Sequence, residues 1–264
     1  MSDANAGSTS RIDLNAPLPG SRKVYLEQDG LRIPQREVAL EGDEPAVRLY
    51  DTSGPPNPDP RAGLHKLREP WIAARKDVRT PTQMHFARKR EITEEMRFVA
   101  LREKLDPDFV RKEVAEGRAI IPANVNHPAI EPMAIGKNFL VKVNANIGNS
   151  ATTSSIEEEV EKLRWSLRWG TDTLMDLSTG GDLAAIRRRI LSECPVPLGT
   201  VPLYQAIADT AASGRDMFDL TTDDIFNVIE QQAKEGVDFM TVHCGITRAG
   251  VAKMQRHERV IGVV

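Results

Sequence analysis

Cysteine is nearly absent from this sequence: Cys194 and Cys244 are its only two. Neither has a second cysteine at the short spacings that zinc or iron–sulfur motifs need. Two distant thiols cannot hold a cluster through three or four thiolates, and they do not make a disulfide framework. Long apolar runs are missing as well. No stretch approaches the roughly 20 apolar residues that cross a bilayer. The opening MSDANAGSTSR lacks the apolar centre of a secretory signal, so a cytoplasmic protein with no membrane partner is expected. Clustered positive charge is the third absence. The formal net charge is −3 and Lys and Arg are scattered, which excludes a nucleic-acid footprint. The densest basic spot, Arg187-Arg188-Arg189, sits in a helical pattern and reads as a solvated helix face.

What remains is an ordinary globular composition, 40% hydrophobic and 28% charged, enough for one large domain or a domain with an arm. The first 80 or so residues are rich in Pro, Gly and charge, as in the run DTSGPPNPDPRAG. Short alternations such as Val47-Arg48-Leu49-Tyr50 suggest a few edge strands on an extended arm. The expected division is a disordered tail over 1–18, an N-terminal domain or arm over 19–135, and a second unit over 136–264.

Helical signals begin at Thr93, an N-cap followed by Glu94 and Glu95, where the helix dipole favours negative charge. Met96, Val99 and Ala100 form a stripe on one face. Asp106-Pro107 opens a second helix that stops at Gly117.

From Asn138 the pattern alternates strand and helix. Phe139–Val143 reads as a strand. Ser155 with Glu158 forms a capping box for a helix carrying Ile156, Val160, Leu163 and Leu167 and ending at Gly170. Thr173–Leu177 is the second strand, followed by a helix bearing Leu183, Ile186 and Ile190. Val196–Tyr204 supplies the third strand. Thr221 caps a helix with Ile225, Val228, Ile229 and Ala233 on its apolar face, and Phe239–Val242 is the fourth strand. A short helix over Ala249–Met254 leads to a fifth apolar run, Val260–Val264.

Repeated βα units imply an α/β fold with a parallel sheet and right-handed crossovers. It can close as an open doubly wound sheet or as a (β/α)8 barrel. No GxGxxG or Walker-type loop follows the first strand, so a barrel is favoured. About four units and a fifth strand are present, so the sequence is expected to be the first half of a barrel, truncated.

Barrel enzymes place their chemistry at the C-terminal ends of the strands. That rule selects Asn146, Met175, Tyr204 and His243. An amide, a phenol, an imidazole and a thioether suit a polar planar ligand. Singly, each has a plainer reading. Met175 fits core packing, Tyr204 a closed barrel mouth, His243 a satisfied structural histidine and Asn146 a turn. Their coincidence is the argument. Two further segments draw notice. IIPANVNHPAI reads as a rigid linker packed across the barrel end, and His85 lies beside the basic residues of TQMHFARKR, open to an anion or to solvent.

The segments PGSRKVY, YDTSGP, TQMHFARKREITEEM, VAEGRAIIPANVNHPAIEPMAIGKNFLVKVNANIGNS, SSIEEEVEKLRWSLRWGTDTLMDLSTG, GTVPLYQA and DFMTVHCG together resemble the phosphomethylpyrimidine synthase family, from about Pro19 to the last residue. That resemblance implies a carbon–carbon lyase of thiamine biosynthesis. It would convert 5-aminoimidazole ribonucleotide to 4-amino-5-hydroxymethyl-2-methylpyrimidine phosphate by radical S-adenosylmethionine chemistry on a 4Fe-4S cluster, as a homodimer. By motif match it carries substrate contact onto Asn146 in VNANIG, Met175 in TLMDLS, Tyr204 in PLYQA and His243 in TVHCG. The family's later segments hold two histidines for a second metal, zinc, and three cysteines spaced C-x2-C-x4-C for the cluster. None of these motifs occurs here, so no metal ligand is assigned and the chain alone is expected to be inactive. A cluster-free sugar-phosphate lyase or isomerase using His243 as acid or base is the competing enzyme reading, and a non-catalytic remnant that only binds the ribonucleotide is the binding one.

Overall fold

In the computed structural model, residues 18–54, 63–150 and 155–256 are described. Residues 1–17 of the expected tail over 1–18, the middle of the Pro-rich run and the apolar run Val260–Val264 lie outside them.

The first elements are more ordered than an arm. Strands β1 (Ser21–Gln28), β2 (Leu31–Val38) and β3 (Val47–Tyr50) form a three-stranded antiparallel sheet in that order. Asp29 and Gly30 both take positive φ, 53° and 76°, which is the two-residue turn whose twist matches a hairpin. β3 falls on the Val47–Tyr50 alternation. Leu31 and Ile33 of β2 pack on Phe98, so the sheet is fastened to the helices that follow.

Those helices are α1 (Glu69–Ala73), α2 (Gln83–Arg88), α3 (Glu94–Glu103) and α4 (Pro107–Ala115). Their boundaries follow local chemistry. Thr93 accepts a hydrogen bond from the Met96 N–H, and Asp106 accepts from Asp108 and Phe109 with Pro107 behind it. Met96, Val99 and Ala100 are buried with Val110, Val114 and Phe139 in the core of this region. A short pair, β4 (Ala119–Ile120) and β5 (Ile135–Gly136), is antiparallel.

The second region is a four-stranded parallel sheet of β6 (Asn144–Ile147), β7 (Thr173–Asp176), β8 (Leu198–Thr200) and β9 (Phe239–Met240), in sequence order. Helices α5 (Ile156–Arg168), α6 (Leu183–Leu191), α7 (Pro202–Ala212) and α8 (Thr222–Glu235) connect the strands, and α9 (Arg248–Arg256) follows β9. The capping boxes at Ser155 and Thr221 are both formed. Ile147, Leu174 and Leu198 face Leu163, Leu167, Ile186 and Ile190 in one apolar layer. Each fully buried aliphatic side chain there stabilises the fold by roughly 1.5–3 kcal/mol relative to exposure. The architecture is mixed α/β with a parallel sheet. Among the described residues no helix is long and apolar enough to cross a membrane.

Four expectations need correction. Phe139–Val143 is not a strand, because the ladder starts where Asp172 and Thr173 donate to the Val143 carbonyl at 2.8 and 3.1 Å. Phe139 belongs to the N-terminal core instead, and Val141 is 92% exposed. Val196–Tyr204 holds only a three-residue strand, since Pro202 has no N–H to give a ladder and opens α7. On α8 Ala233 is exposed and Gln232 is buried in its place. Arg187 is not on a solvated face: it is 2% exposed.

The segment around IIPANVNHPAI crosses the N-terminal ends of β8 and β9; Ile121 packs in the N-terminal core, and polar and charged groups tie the rest. The Asp238 carboxylate, its side chain fully shielded, accepts from the Asn124 N–H and the Leu198 N–H, each at 2.8 Å, and faces His127 Nδ1 at 2.7 Å. The other ring nitrogen of His127 faces the Cys194 carbonyl at 2.9 Å. Buried Arg68 donates to the Ala123, Asn124 and His127 carbonyls at 3.1, 2.8 and 3.3 Å and pairs with Glu95. A buried carboxylate is tolerable only with such partners. Asp238→Asn turns an amide N–H₂ against groups that donate, and should lower stability by about 2–3 kcal/mol in urea denaturation. Asp43→Asn, at an exposed position, should stay within about 0.5 kcal/mol.

Candidate functional site

Strand alternation divides the sheet into two faces. Ala145, Ile147, Leu174 and Leu198 contact the helical layer. Asn144, Asn146, Thr173, Met175 and Gly199 therefore line the opposite face. Register places Asn146 beside Met175, Met175 beside Gly199, and Gly199 beside Phe239. Gly199 is demanded by its neighbour, because a Cβ there would lie 2.3 Å from the Phe239 ring. A cavity of about 410 Å³ opens on this face, lined by Phe139, Lys142, Asn144, Thr173, Met175 and Phe239 among others. It lies towards the start of β6, and of the four strand-end residues only Met175 reaches it.

The other two expected residues sit elsewhere than predicted in detail. Tyr204 is in the first turn of α7, not at the end of a strand, and is half-buried. His243 lies past the end of β9 on an exposed, non-helical stretch before α9. Their rings are nonetheless neighbours, with centroids 6.3 Å apart and planes tilted by 35°. The four residues thus form two pairs at the C-terminal end of the sheet. Thr241, two residues before His243, reaches the first pair: its N–H donates to the Thr200 carbonyl at 2.8 Å and its hydroxyl lies 4.0 Å from the Met175 sulfur.

The placement of Tyr204 is fixed by the residue after it. Gln205 Oε1 accepts from Arg187 at 2.7 Å and from Gln232 Nε2 at 2.8 Å, and the Thr200 hydroxyl donates to Gln232 Oε1 at 2.6 Å. Arg187 also pairs with Glu235. This buried chain links α6, α7 and α8 to β8, and it explains why Arg187 turns inward. At the end of β7, burial pushes the Asp176 carboxyl up from its ordinary value, opposed by hydrogen bonds from Ser178. The Ser178 N–H donates to it at 2.9 Å.

Sequence reasoning missed Asn144, Thr173 and Thr241 on this face, and Gln205 and Arg187 beneath it. The first two are readable in principle, each two residues before a selected one on the same strand. Of the remaining segments, His85 lies on α2 with its ring edge-on to Phe86, centroids 5.4 Å apart.

The donor set for metal is poor. Among the described residues no group of three or more His, Cys, Asp or Glu side chains can hold an ion. Cys194 is buried, its thiol donates to the Val196 carbonyl at 3.1 Å, and burial pushes it up to about 12, so it stays protonated. Cys244, beside His243, is exposed. A maleimide should therefore label one thiol per native chain, at Cys244, and two in denaturant; labelling of Cys194 in the native chain would contradict the packing, with peptide mapping as the readout.

Comparison with known families matches residues 82–264 to the radical SAM ThiC family and residues 17–79 to the ThiC-associated domain. The parallel sheet and all four strand-end residues fall inside the first match. Because that match covers well over half of the sequence, the chain belongs to the radical SAM ThiC family.

Proposed function

We propose that this chain supplies the pocket for 5-aminoimidazole ribonucleotide in a phosphomethylpyrimidine synthase. The family's activity is synthesis of the thiamine pyrimidine by radical SAM chemistry. The observation that carries the reading is the pairing of Asn146 with Met175 and of Tyr204 with His243 at one end of the parallel sheet. In this reading Asn146 and His243 hydrogen-bond the ribonucleotide, while Met175 and Tyr204 wall its ring. The Tyr204 hydroxyl adds a donor. Together they would orient the substrate and exclude water from a reactive intermediate.

The sequential strand order supports reading the sheet as half of a (β/α)8 barrel, with an N-terminal domain over 19–135 and the barrel unit from 136. A doubly wound sheet would reverse its order at a switch point, and β6 to β9 do not. The family's cofactors, S-adenosylmethionine and a 4Fe-4S cluster, are a different matter. A cluster held by three thiolates is not matched by one buried, protonated thiol and one exposed cysteine. Nor do the described residues offer a donor set for the zinc that the resemblance implies. We therefore assign the chain substrate binding and not radical generation, and expect no turnover from it alone. The setting we propose for the enzyme is a cytoplasmic homodimer.

Calorimetric titration of the chain with 5-aminoimidazole ribonucleotide tests this. Asn146→Ala and His243→Ala should each weaken binding about tenfold, equivalent to about 1.4 kcal/mol, and Met175→Ala and Tyr204→Ala should weaken it several-fold. Unchanged affinity in all four variants would overturn the assignment.

A further inference from the structure

An asparagine amide can meet a ligand with either of two opposite polarities, and which one it shows depends on what holds its other end. Asn146 is held. Its Oδ1 accepts a hydrogen bond from Asn144 Nδ2 at 2.9 Å, and Asn144 Oδ1 in turn accepts from the Thr173 hydroxyl at 2.9 Å. The relay follows directly from sheet geometry. Asn144 and Asn146 are two apart on one face of β6, and Asn144 is the register partner of Thr173 on β7. Thr173 is 4% exposed and its hydroxyl has no other acceptor among the described residues. Reversing the relay would make that hydroxyl an acceptor and strand its proton inside the protein, where an unmade hydrogen bond is costly. The direction is therefore set at the buried end and read out at the exposed end.

We propose that Thr173 and Asn144 are positioning residues that lock the polarity of Asn146, so that the site presents an N–H donor and selects ligands offering an acceptor there. The inference rests on the assignment of Asn146 as a substrate contact. Asn146 Nδ2 donates to no protein group among the described residues, so both its hydrogens are available. A ring nitrogen without hydrogen, or a hydroxyl or phosphoryl oxygen, satisfies them; an amino group does not.

Substitution at Asn144 separates this role from packing. Asn144→Ala removes the relay and leaves Asn146 free to turn. Asn144→Asp keeps the shape but can only accept, so it draws Asn146 Nδ2 towards itself and turns Oδ1 to the ligand. The isosteric change should thus be the worse one. In titrations of the chain with 5-aminoimidazole ribonucleotide, Asn144→Asp should bind about tenfold more weakly than Asn144→Ala. That gap should close when both are repeated with Asn146→Ala, whereas a simple charge effect of the new carboxylate would persist. Thr173→Val should weaken binding several-fold and Thr173→Ser should restore it, with thermal unfolding confirming that each variant folds. A gap that persists without the Asn146 amide, or an aspartate milder than alanine, overturns the relay. If Asn146→Ala alone binds normally, Asn146 is not a substrate contact and the relay fails, while the assignment of the pocket stands or falls with the other three variants.

Discussion

A single buried carboxylate governs the arrangement. Asp238 sits where β9 begins, and its two oxygens meet the backbone of Asn124, the backbone of Leu198 and the ring of His127. A charge taken out of water is stable only when such donors surround it. The requirement therefore fixes three chain segments at once: the linker ahead of the sheet, the start of β8 and the start of β9. Register then follows. Phe239 is laid on Gly199, and Thr241 is brought over Met175.

The C-terminal end of the sheet inherits its geometry from that base. Parallel strands direct their C-terminal ends one way, and the period of two turns Asn144, Asn146, Thr173 and Met175 away from the helices. Beneath them, the chain from Arg187 through Gln205 and Gln232 to Thr200 sets the angle of α7, and with it the phenol of Tyr204. Polar interactions that define position lie on both sides of the apolar layer of Ile147, Leu174, Leu198 and their helical partners. Apolar packing is non-directional, whereas each polar chain depends on the direction and partner of its hydrogen bonds. That contrast is why the polar residues carry the functional argument.

Local chemistry was legible in the sequence. Thr93, Asp106, Ser155 and Thr221 cap helices where side-chain oxygen, acidic neighbours or proline indicated, because a cap is decided within four residues. The parallel alternation was legible from short apolar runs alternating with helical periods, and with it the places of Asn146 on β6 and Met175 on β7. What could not be read depended on distant partners. Strand β6 starts late because Asp172 and Thr173 fix where its ladder begins. Arg187 looked solvated because Gln205 and Glu235, its partners, lie on other elements. Tyr204 was placed on a strand because Val196–Val201 is apolar, whereas Pro202 converts the chain to helix. Asn144 and Thr173 went unselected because their value lies in each other and in Asn146, a relation that only register creates.

Hydrogen–deuterium exchange with and without 5-aminoimidazole ribonucleotide tests the central proposal, that side chains at the C-terminal ends of four parallel strands and in the segments after them form one pocket. Binding should slow exchange together in the segments that follow β6, β7, β8 and β9, including residues 201–205 and 241–245. Protection confined to residues 135–142 around the cavity at the start of β6, or none at the strand ends, would contradict it.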